Sequence, residues 1–209
     1  MQLIAHRGLT NKDIKENTLN SFINALNNGY EGIELDIRYT KDKKIVIHHD
    51  IFINRTSNGK GKLSNLTYKE LKKYNFGTKK HPSKIPLLSD IINKISNTII
   101  FIELKDNINK EELYKILSKN KSNKYYICSF NKKYLKNYDN LYNIGIINNV
   151  FNSNINLNKY NFIMILEDIL TEDIYNYYKN NNIEVVIYGT LKTISLKNKE
   201  ILSKTKYII

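Results

Sequence analysis

Tryptophan is absent from this 209-residue chain, cysteine occurs once, proline twice and glycine eight times. The lone cysteine, Cys128, cannot close an internal disulfide, so the fold does not depend on an oxidising compartment. It lies in an apolar run and reads as an inert buried thiol. No apolar run is long enough to cross a bilayer as a helix. Met1-Gln2-Leu3-Ile4-Ala5-His6 lacks the basic start and apolar stretch of a signal peptide, so a cytoplasmic location is expected. Acidic residues are also scarce: 20 Asp and Glu face 33 Lys and Arg, a net charge of +13. Such a balance attracts anions, whether nucleic acid, a membrane surface or a phosphorylated substrate. The lysines are scattered, however, among many Asn, Ile and Tyr, the residues of A/T-rich codons. The charge is therefore first of all compositional, and steering of an anionic substrate is a secondary benefit. No helix-turn-helix, zinc or RNA-binding signature is present, so no nucleic-acid partner is expected.

What is present suits an ordinary globular protein, with 41% hydrophobic and 25% charged residues in a length fit for one domain or two small ones. Apolar β-type runs alternate with helix-type stretches. Strands are predicted at 3–5, 32–39, 45–49, 99–104, 125–128, 144–147, 162–166 and 185–188, with a last short one at 207–209. Helices are predicted at 17–27, 89–95, 110–120, 132–136 and 172–179. This alternation predicts an α/β fold with a mainly parallel sheet, and strands near both ends of the chain suit a closed TIM-type (β/α)8 barrel. The alternation breaks between about 50 and 87, a stretch that holds both prolines, Pro82 and Pro86, and reads as an insertion after the second-strand hairpin. Within it, Thr67-Tyr68-Lys69-Glu70 fits a capping box. The whole chain, 1–209, is read as a single barrel.

The residues that carry chemistry lie near predicted strand ends. In 32–39 the side chains alternate, so Glu34, Asp36 and Arg38 share one face and Ile33, Leu35, Ile37 and Tyr39 the other. Carboxylates inside a barrel are costly unless neutralised, and a divalent cation, Mg²⁺ or Ca²⁺, neutralises them directly. The short link 40–44 requires a hairpin. A turn centred between Asp42 and Lys43 pairs Ile45 with Thr40, Ile47 with Arg38 and His49 with Asp36, so His49 joins the carboxylates and His48 points away. A slip of one residue exchanges the two histidines. The run 99–105 ends in Glu103-Leu104-Lys105, with both charges on one face at the end where barrel sites lie. Glu103 completes an oxygen ligand set, and Lys105 suits a phosphate oxygen. At the N-terminus, Ile4-Ala5 leads into His6-Arg7-Gly8, where Arg7 suits bidentate phosphate binding and Gly8 close backbone approach. Taken singly, each has a structural explanation: an exposed amphipathic strand, a Glu–Lys pair at a rim, a packed histidine. Their convergence from different strands favours a site. Glu16 either hydrogen-bonds a catalytic group or favours the start of the following helix. Asn17 either contacts substrate or caps that helix, capping being the commoner use. His81, in a lysine-rich loop, reads as solvated.

These motifs resemble, in order and spacing, those of the glycerophosphodiester phosphodiesterase family: His6-Arg7-Gly8, Glu16-Asn17-Thr18, Glu34-Leu35-Asp36, His49-Asp50, Arg55 to Gly61, Leu66-Thr67 with Glu70-Leu71, Ile85-Pro86, Glu103-Leu104-Lys105 and Ser129-Phe130. The resemblance covers roughly the first half of the chain and fades after Phe130. It implies a TIM-type barrel, one Mg²⁺ or Ca²⁺ ion, and hydrolysis of glycerophosphodiesters to glycerol 3-phosphate and an alcohol, a step of glycerol and lipid metabolism. It implies metal ligation by Glu34, Asp36 and Glu103, acid–base work by His6 and His49, and phosphate contact by Arg7 and Lys105. Glu16, Asn17 and Tyr188 join the substrate-binding group. Three departures stand out. Lys15 replaces the family's proline before Glu-Asn, Ile187-Tyr188-Gly189-Thr190 replaces its late tryptophan motif, and the last strand motif is cut short at Ile209. Tyr188 then serves as aromatic wall, and closure of the barrel becomes a question. Two further readings compete: a lysophospholipase D or phospholipase C-like esterase in peripheral contact with a membrane, and a non-catalytic phosphodiester-binding barrel. An exposed apolar loop at the barrel mouth would favour the lipid enzyme, and none is convincing in the sequence. Monomer and homodimer are not distinguished.

Overall fold

A computed structural model of the chain describes residues 1–138, 142–189 and 199–209. Eight parallel strands close on themselves: β1 (Gln2–Ala5), β2 (Gly32–Tyr39), β4 (Ile99–Leu104), β5 (Lys124–Ser129), β6 (Asn143–Asn148), β7 (Phe162–Leu166), β8 (Glu184–Tyr188) and β9 (Tyr207–Ile208). A ninth strand, β3 (Ile45–Ile47), adds antiparallel to β2 outside the ring. Closure is made by β1, which pairs with β2 on one side and β9 on the other. The two residues of β9 suffice, because Gln2 and Leu3 align with Tyr207 and Ile208, which also align with Val186 and Ile187. The fold is therefore the expected TIM-type barrel, and β9 completes its closure. Among the described residues, the surrounding helices are α1 (Leu19–Asn27), α2 (Tyr68–Leu71), α3 (Leu88–Lys94), α4 (Lys110–Leu117), α5 (Glu172–Asn180) and α6 (Lys199–Lys204).

Strand alternation sorts the core into layers. Outward-facing Ile33, Leu35, Ile37, Ile100, Ile102, Leu104, Ile163 and Val185 pack with Phe22, Ile91, Leu113 and Tyr178 of the helices. Inward-facing Phe101, Tyr126, Phe162 and Tyr207 fill the barrel floor. Phe101 stacks on Tyr126 at 4.5 Å, Phe162 and Tyr207 meet them edge-on, and the Tyr126 and Tyr207 hydroxyls hydrogen-bond at 2.7 Å. Gly145 makes room for this floor: a Cβ there would collide with the Phe162 ring. Towards the C-terminal ends, the same inward face carries Glu34, Asp36 and Glu103. Glu34 aligns with Phe101 of the floor, and Asp36, further along β2, aligns with Glu103. The floor thus seals one end of the barrel, and the charged groups lie at the other.

Between β3 and α3 the chain leaves the barrel plan. Ile53, Leu63, Leu71, Phe76 and Ile85 bury a small core of their own against Val46 of β3. Its one-turn helix α2 has the expected capping box, with Thr67 Oγ1 accepting from Glu70 N and the Glu70 carboxylate accepting from Thr67 N. The helical stretch predicted at 132–136 is a 3-10 turn, Lys132–Leu135, and α6 was not predicted.

Candidate active site

Three carboxylates gather above the barrel floor. Asp36 is fully buried, Glu34 and Glu103 nearly so, and one oxygen of each lies within 4.8 Å of the others. Cations surround them. Arg7 Nε lies 3.2 Å from Asp36 Oδ2, and Lys105 Nζ lies 2.5 Å from Glu103 Oε1 and 3.3 Å from Asp36 Oδ1. Glu34 Oε2 accepts the Arg7 backbone N–H at 3.0 Å and lies 3.9 Å from His6 Nε2. Burial, followed by the charges of Asp36 and Glu103, pushes Glu34 well above the usual carboxylate range. Burial and the Asp36 charge push Glu103 up to about 7. Burial acts on Asp36 in the same sense, but Lys105 and Arg7 outweigh it and hold that carboxyl below its ordinary value. Asp36 Oδ1 and Glu103 Oε1 make no well-formed hydrogen bond despite their burial. An oxygen-only donor set, crowded and buried, fits a hard divalent cation.

The turn after β1 brings in His6 and Arg7. Arg7 and Gly8 both have left-handed backbone, φ 56° and 78°, and a side chain at Gly8 would collide with Ser21. The Arg7 carbonyl accepts from Asn17 N at 2.9 Å and Ser21 Oγ at 3.1 Å, which ties the turn to the start of α1. Partial burial and the Arg7 charge push the half-exposed His6 imidazole down to about 4. Asn17 does not cap α1: Thr18 is the N-cap, accepting from Ser21 N. Asn17, with φ 54°, is turned inward, and its Nδ2 donates to Asp36 Oδ2 at 2.8 Å. A left-handed residue cannot continue as helix, whereas asparagine tolerates that conformation.

The hairpin register differs from the expected one by a single residue. Ile47 pairs with Ile37, Val46 with Arg38 and Ile45 with Tyr39, so the position opposite Asp36 falls to His48, whose N–H donates to Asp36 O at 2.9 Å. The reason lies in packing: this register turns Ile45 and Ile47 to the main core and Val46 to the core of the adjoining segment. Because β3 ends at Ile47, the two histidine rings are not bound to the strand's alternation. The buried His48 ring faces Phe76 edge-on and contacts Asp50 O and Thr56 Oγ1, each at 2.9 Å. His49 stays within electrostatic reach of Asp36, Lys105, Arg7 and His6. Burial lowers its pKa, and Asp36 together with the Asp50 hydrogen bond opposes that shift.

Asp50, Arg38 and Arg55 had no assigned role from the sequence. Asp50 Oδ1 lies 2.7 Å from His49 Nδ1. Arg38 donates to His49 O at 2.9 Å, to Lys105 O at 3.2 Å and to Asp106 Oδ1 at 2.9 Å. Glu16 accepts from Arg7 at 3.2 Å and from Arg55 at 2.7 and 2.9 Å. The charge next to a histidine and the arginines within the motifs were the only sequence signals. Tyr188 meets Phe130 edge-on at 6.4 Å, and Lys105 Nζ lies 5.7 Å from the Phe130 ring centre. Tyr188 is also hydrogen-bonded to Asn149. Thr190 of the same motif lies outside the described residues. Apolar side chains are exposed in segments that follow strands: Ile51 and Phe52 after β3, Phe130 after β5, Val150 and Phe151 after β6. His81 is exposed, and Cys128 is buried inside the barrel. No helix among the described residues is long and apolar enough to cross a membrane.

Fold and site together define a TIM-type barrel with an acidic, histidine-flanked centre at the C-terminal ends of its strands. The chain belongs to the glycerophosphoryl diester phosphodiesterase family, whose sequence model matches residues 6–167. A glycerophosphodiester phosphodiesterase of Bacillus altitudinis is 39% identical over 114 residues, which are 51% of this chain and 46% of that protein. Human glycerophosphodiester phosphodiesterase 1 is 35% identical over 117 residues, 51% of this chain and 34% of that protein. The chain thus spans about half the length, or less, of the curated relatives it matches. In structure it is similar to an Oleispira antarctica phosphodiesterase in complex with the product sn-glycerol-3-phosphate, with TM-score 0.90 and 23% identity over 100% of this chain and 92% of that one. A putative glycerophosphodiester phosphodiesterase from Galdieria sulphuraria aligns with TM-score 0.82 and 20% identity over 99% and 92%. At these identities the likeness to both structures is one of fold.

Proposed function

We propose that this chain, a single barrel over residues 1–209 with an insertion at about 50–87, hydrolyses glycerophosphodiesters to sn-glycerol 3-phosphate and an alcohol. The observation that carries the proposal is the meeting of His6, His49, Arg7 and Lys105 around the buried Glu34, Asp36 and Glu103. Family membership and the product-bound relative support the substrate class. Glu34, Asp36 and Glu103 would hold one divalent cation, Mg²⁺ or Ca²⁺. Such an ion, when bound, supplies positive charge that polarises a phosphodiester oxygen and favours ionisation of the nucleophile.

The chain's own groups do the rest. Arg7 and Lys105 meet the phosphate's negative charge, and with anionic substrate present they no longer serve the carboxylates alone. His6, held neutral at physiological pH, takes the proton of the nucleophile, which is water or the neighbouring glycerol hydroxyl. His49 gives a proton to the leaving alkoxide, and Asp50 at its Nδ1 stabilises the imidazolium form beforehand. Asn17 orients Asp36, Glu16 steadies Arg7, and Tyr188 with Phe130 walls the pocket.

The test is ³¹P NMR of glycerophosphocholine incubated with the protein and Mg²⁺ or Ca²⁺. The proposal expects the glycerol 3-phosphate signal, with a cyclic phosphate before it if the glycerol hydroxyl attacks. Phosphocholine in its place, or an unchanged diester, contradicts it. A second reading, a lysophospholipid substrate, draws support from the exposed Ile51, Phe52, Phe130 and Val150. It expects faster turnover of lysophosphatidylcholine than of glycerophosphocholine, and the reverse order eliminates it.

A further inference from the structure

Arginine occurs at only three positions, Arg7, Arg38 and Arg55, in a chain that otherwise uses lysine for positive charge. All three meet the site. Arg55 is the unexpected member, because it comes from the segment outside the barrel and its side chain is half exposed. Its guanidinium grips two carboxylates. Nε and Nη2 donate to Asp50 at 2.7 and 3.0 Å, and Nη1 and Nη2 donate to Glu16 at 2.9 and 2.7 Å. Each carboxylate in turn holds a group of the site. Asp50 Oδ1 meets His49 Nδ1 at 2.7 Å, and Glu16 Oε1 accepts from Arg7 at 3.2 Å. Arg7 then reaches Asp36 at 3.2 Å. A continuous line of charged contacts thus runs from a buried barrel carboxylate to His49, and Arg55 is its middle link.

We infer that Arg55 is a positioning residue: through Asp50 it fixes His49 with the proton on Nδ1, leaving Nε2 as the reacting nitrogen, and through Glu16 it steadies Arg7. A carboxylate held at both oxygens cannot swing away from the imidazole, and the hydrogen bond at one ring nitrogen decides the role of the other. Lysine, a point charge without a planar fork, cannot serve two carboxylates at four contacts. Exposed ion pairs add little to stability, so the effect falls on orientation rather than on folding. The kinetic part of this inference rests on the hydrolase reading, whereas the tautomer of His49 does not.

The test compares Arg55→Gln and Arg55→Lys with the wild type by steady-state kinetics, thermal melting and long-range ¹H–¹⁵N NMR of the histidine rings at pH 8 without metal. Both variants are expected to lose about 10- to 100-fold in kcat, with KM changed far less. Melting stays within a few degrees, and the His49 ring, Nδ1-protonated in the wild type, becomes a tautomer mixture. Wild-type kcat in Arg55→Gln, full recovery in Arg55→Lys, or an unchanged His49 tautomer each overturns the inference. If one variant does not fold, the other decides by the same criteria. A wild type without turnover refutes the hydrolase reading instead, and the tautomer alone then decides the positioning role.

Discussion

His48 donates its backbone N–H to the Asp36 carbonyl at 2.9 Å, yet its ring packs away from that carboxylate, edge-on to Phe76. Both rings feel the Asp36 charge, but the neighbouring His49 is also influenced by Lys105 and Arg7. The proposed mechanism therefore gives the two adjacent histidines separate duties. His49→Ala is expected to cut turnover by about 10²–10⁴-fold with little change in melting. His48→Ala leaves Thr56 and the Asp50 carbonyl without their ring partner and is expected to cost about 1–3 kcal/mol of stability while activity per folded molecule persists. Activity and melting, measured on both variants, check the division, and a reversal of the two outcomes contradicts it.

The carboxylate cluster predicts a stabilising ion. Mg²⁺ or Ca²⁺ at about 100 times its dissociation constant should raise stability by about 2.7 kcal/mol. Excess EDTA should reverse the rise in melting temperature, and Asp36→Asn should abolish it. Melting curves that ignore both ions would remove Glu34, Asp36 and Glu103 from the role of ligands.

The barrel floor predicts a steric penalty. Gly145→Ala sets a methyl group against the Phe162 ring, itself held by Phe101 and Tyr126. The expected loss is about 1–3 kcal/mol in denaturant unfolding. A neutral result would mean that the ring has room to move.

Asp50 predicts an acid dependence. The Arg55 hydrogen bonds outweigh burial and, with His49, hold this carboxyl well below the usual range. A depressed folded-state pKa contributes stability above the unfolded value, about 3.9, and loses it as pH falls towards the folded one. Wild type should therefore exceed Asp50→Asn in stability at neutral pH, and the gap should narrow below about pH 4. A gap constant down to pH 2.5 contradicts this origin.

Much of the fold was legible because strand alternation is strong. Residues 32–39 and 99–104 read directly as strands with one charged and one apolar face, and Glu34, Asp36 and Glu103 followed from that face. Local signals read less well where distant packing decides. The register of β3 depends on which core takes Val46, a choice made by Ile53, Leu63 and Phe76 far along the chain. Asn17 resembled a cap because asparagine favours that place before a helix, but its φ of 54°, in contact with the turn that holds Arg7, turns it inward instead. Arg55 meets Glu16 across 39 positions of sequence, and nothing local marks that contact. The exposed Phe130 and Val150 emerge only once the strand ends are known.

The most direct test of the central claim is a coupled assay for glycerol 3-phosphate release from glycerophosphocholine and glycerophosphoethanolamine. Wild type and His49→Ala are compared with Mg²⁺, Ca²⁺ or EDTA. Release that needs a divalent ion and falls by at least about 10²-fold in His49→Ala is the predicted result. Folded wild type that releases nothing with either ion, or releases equally in EDTA, contradicts the account.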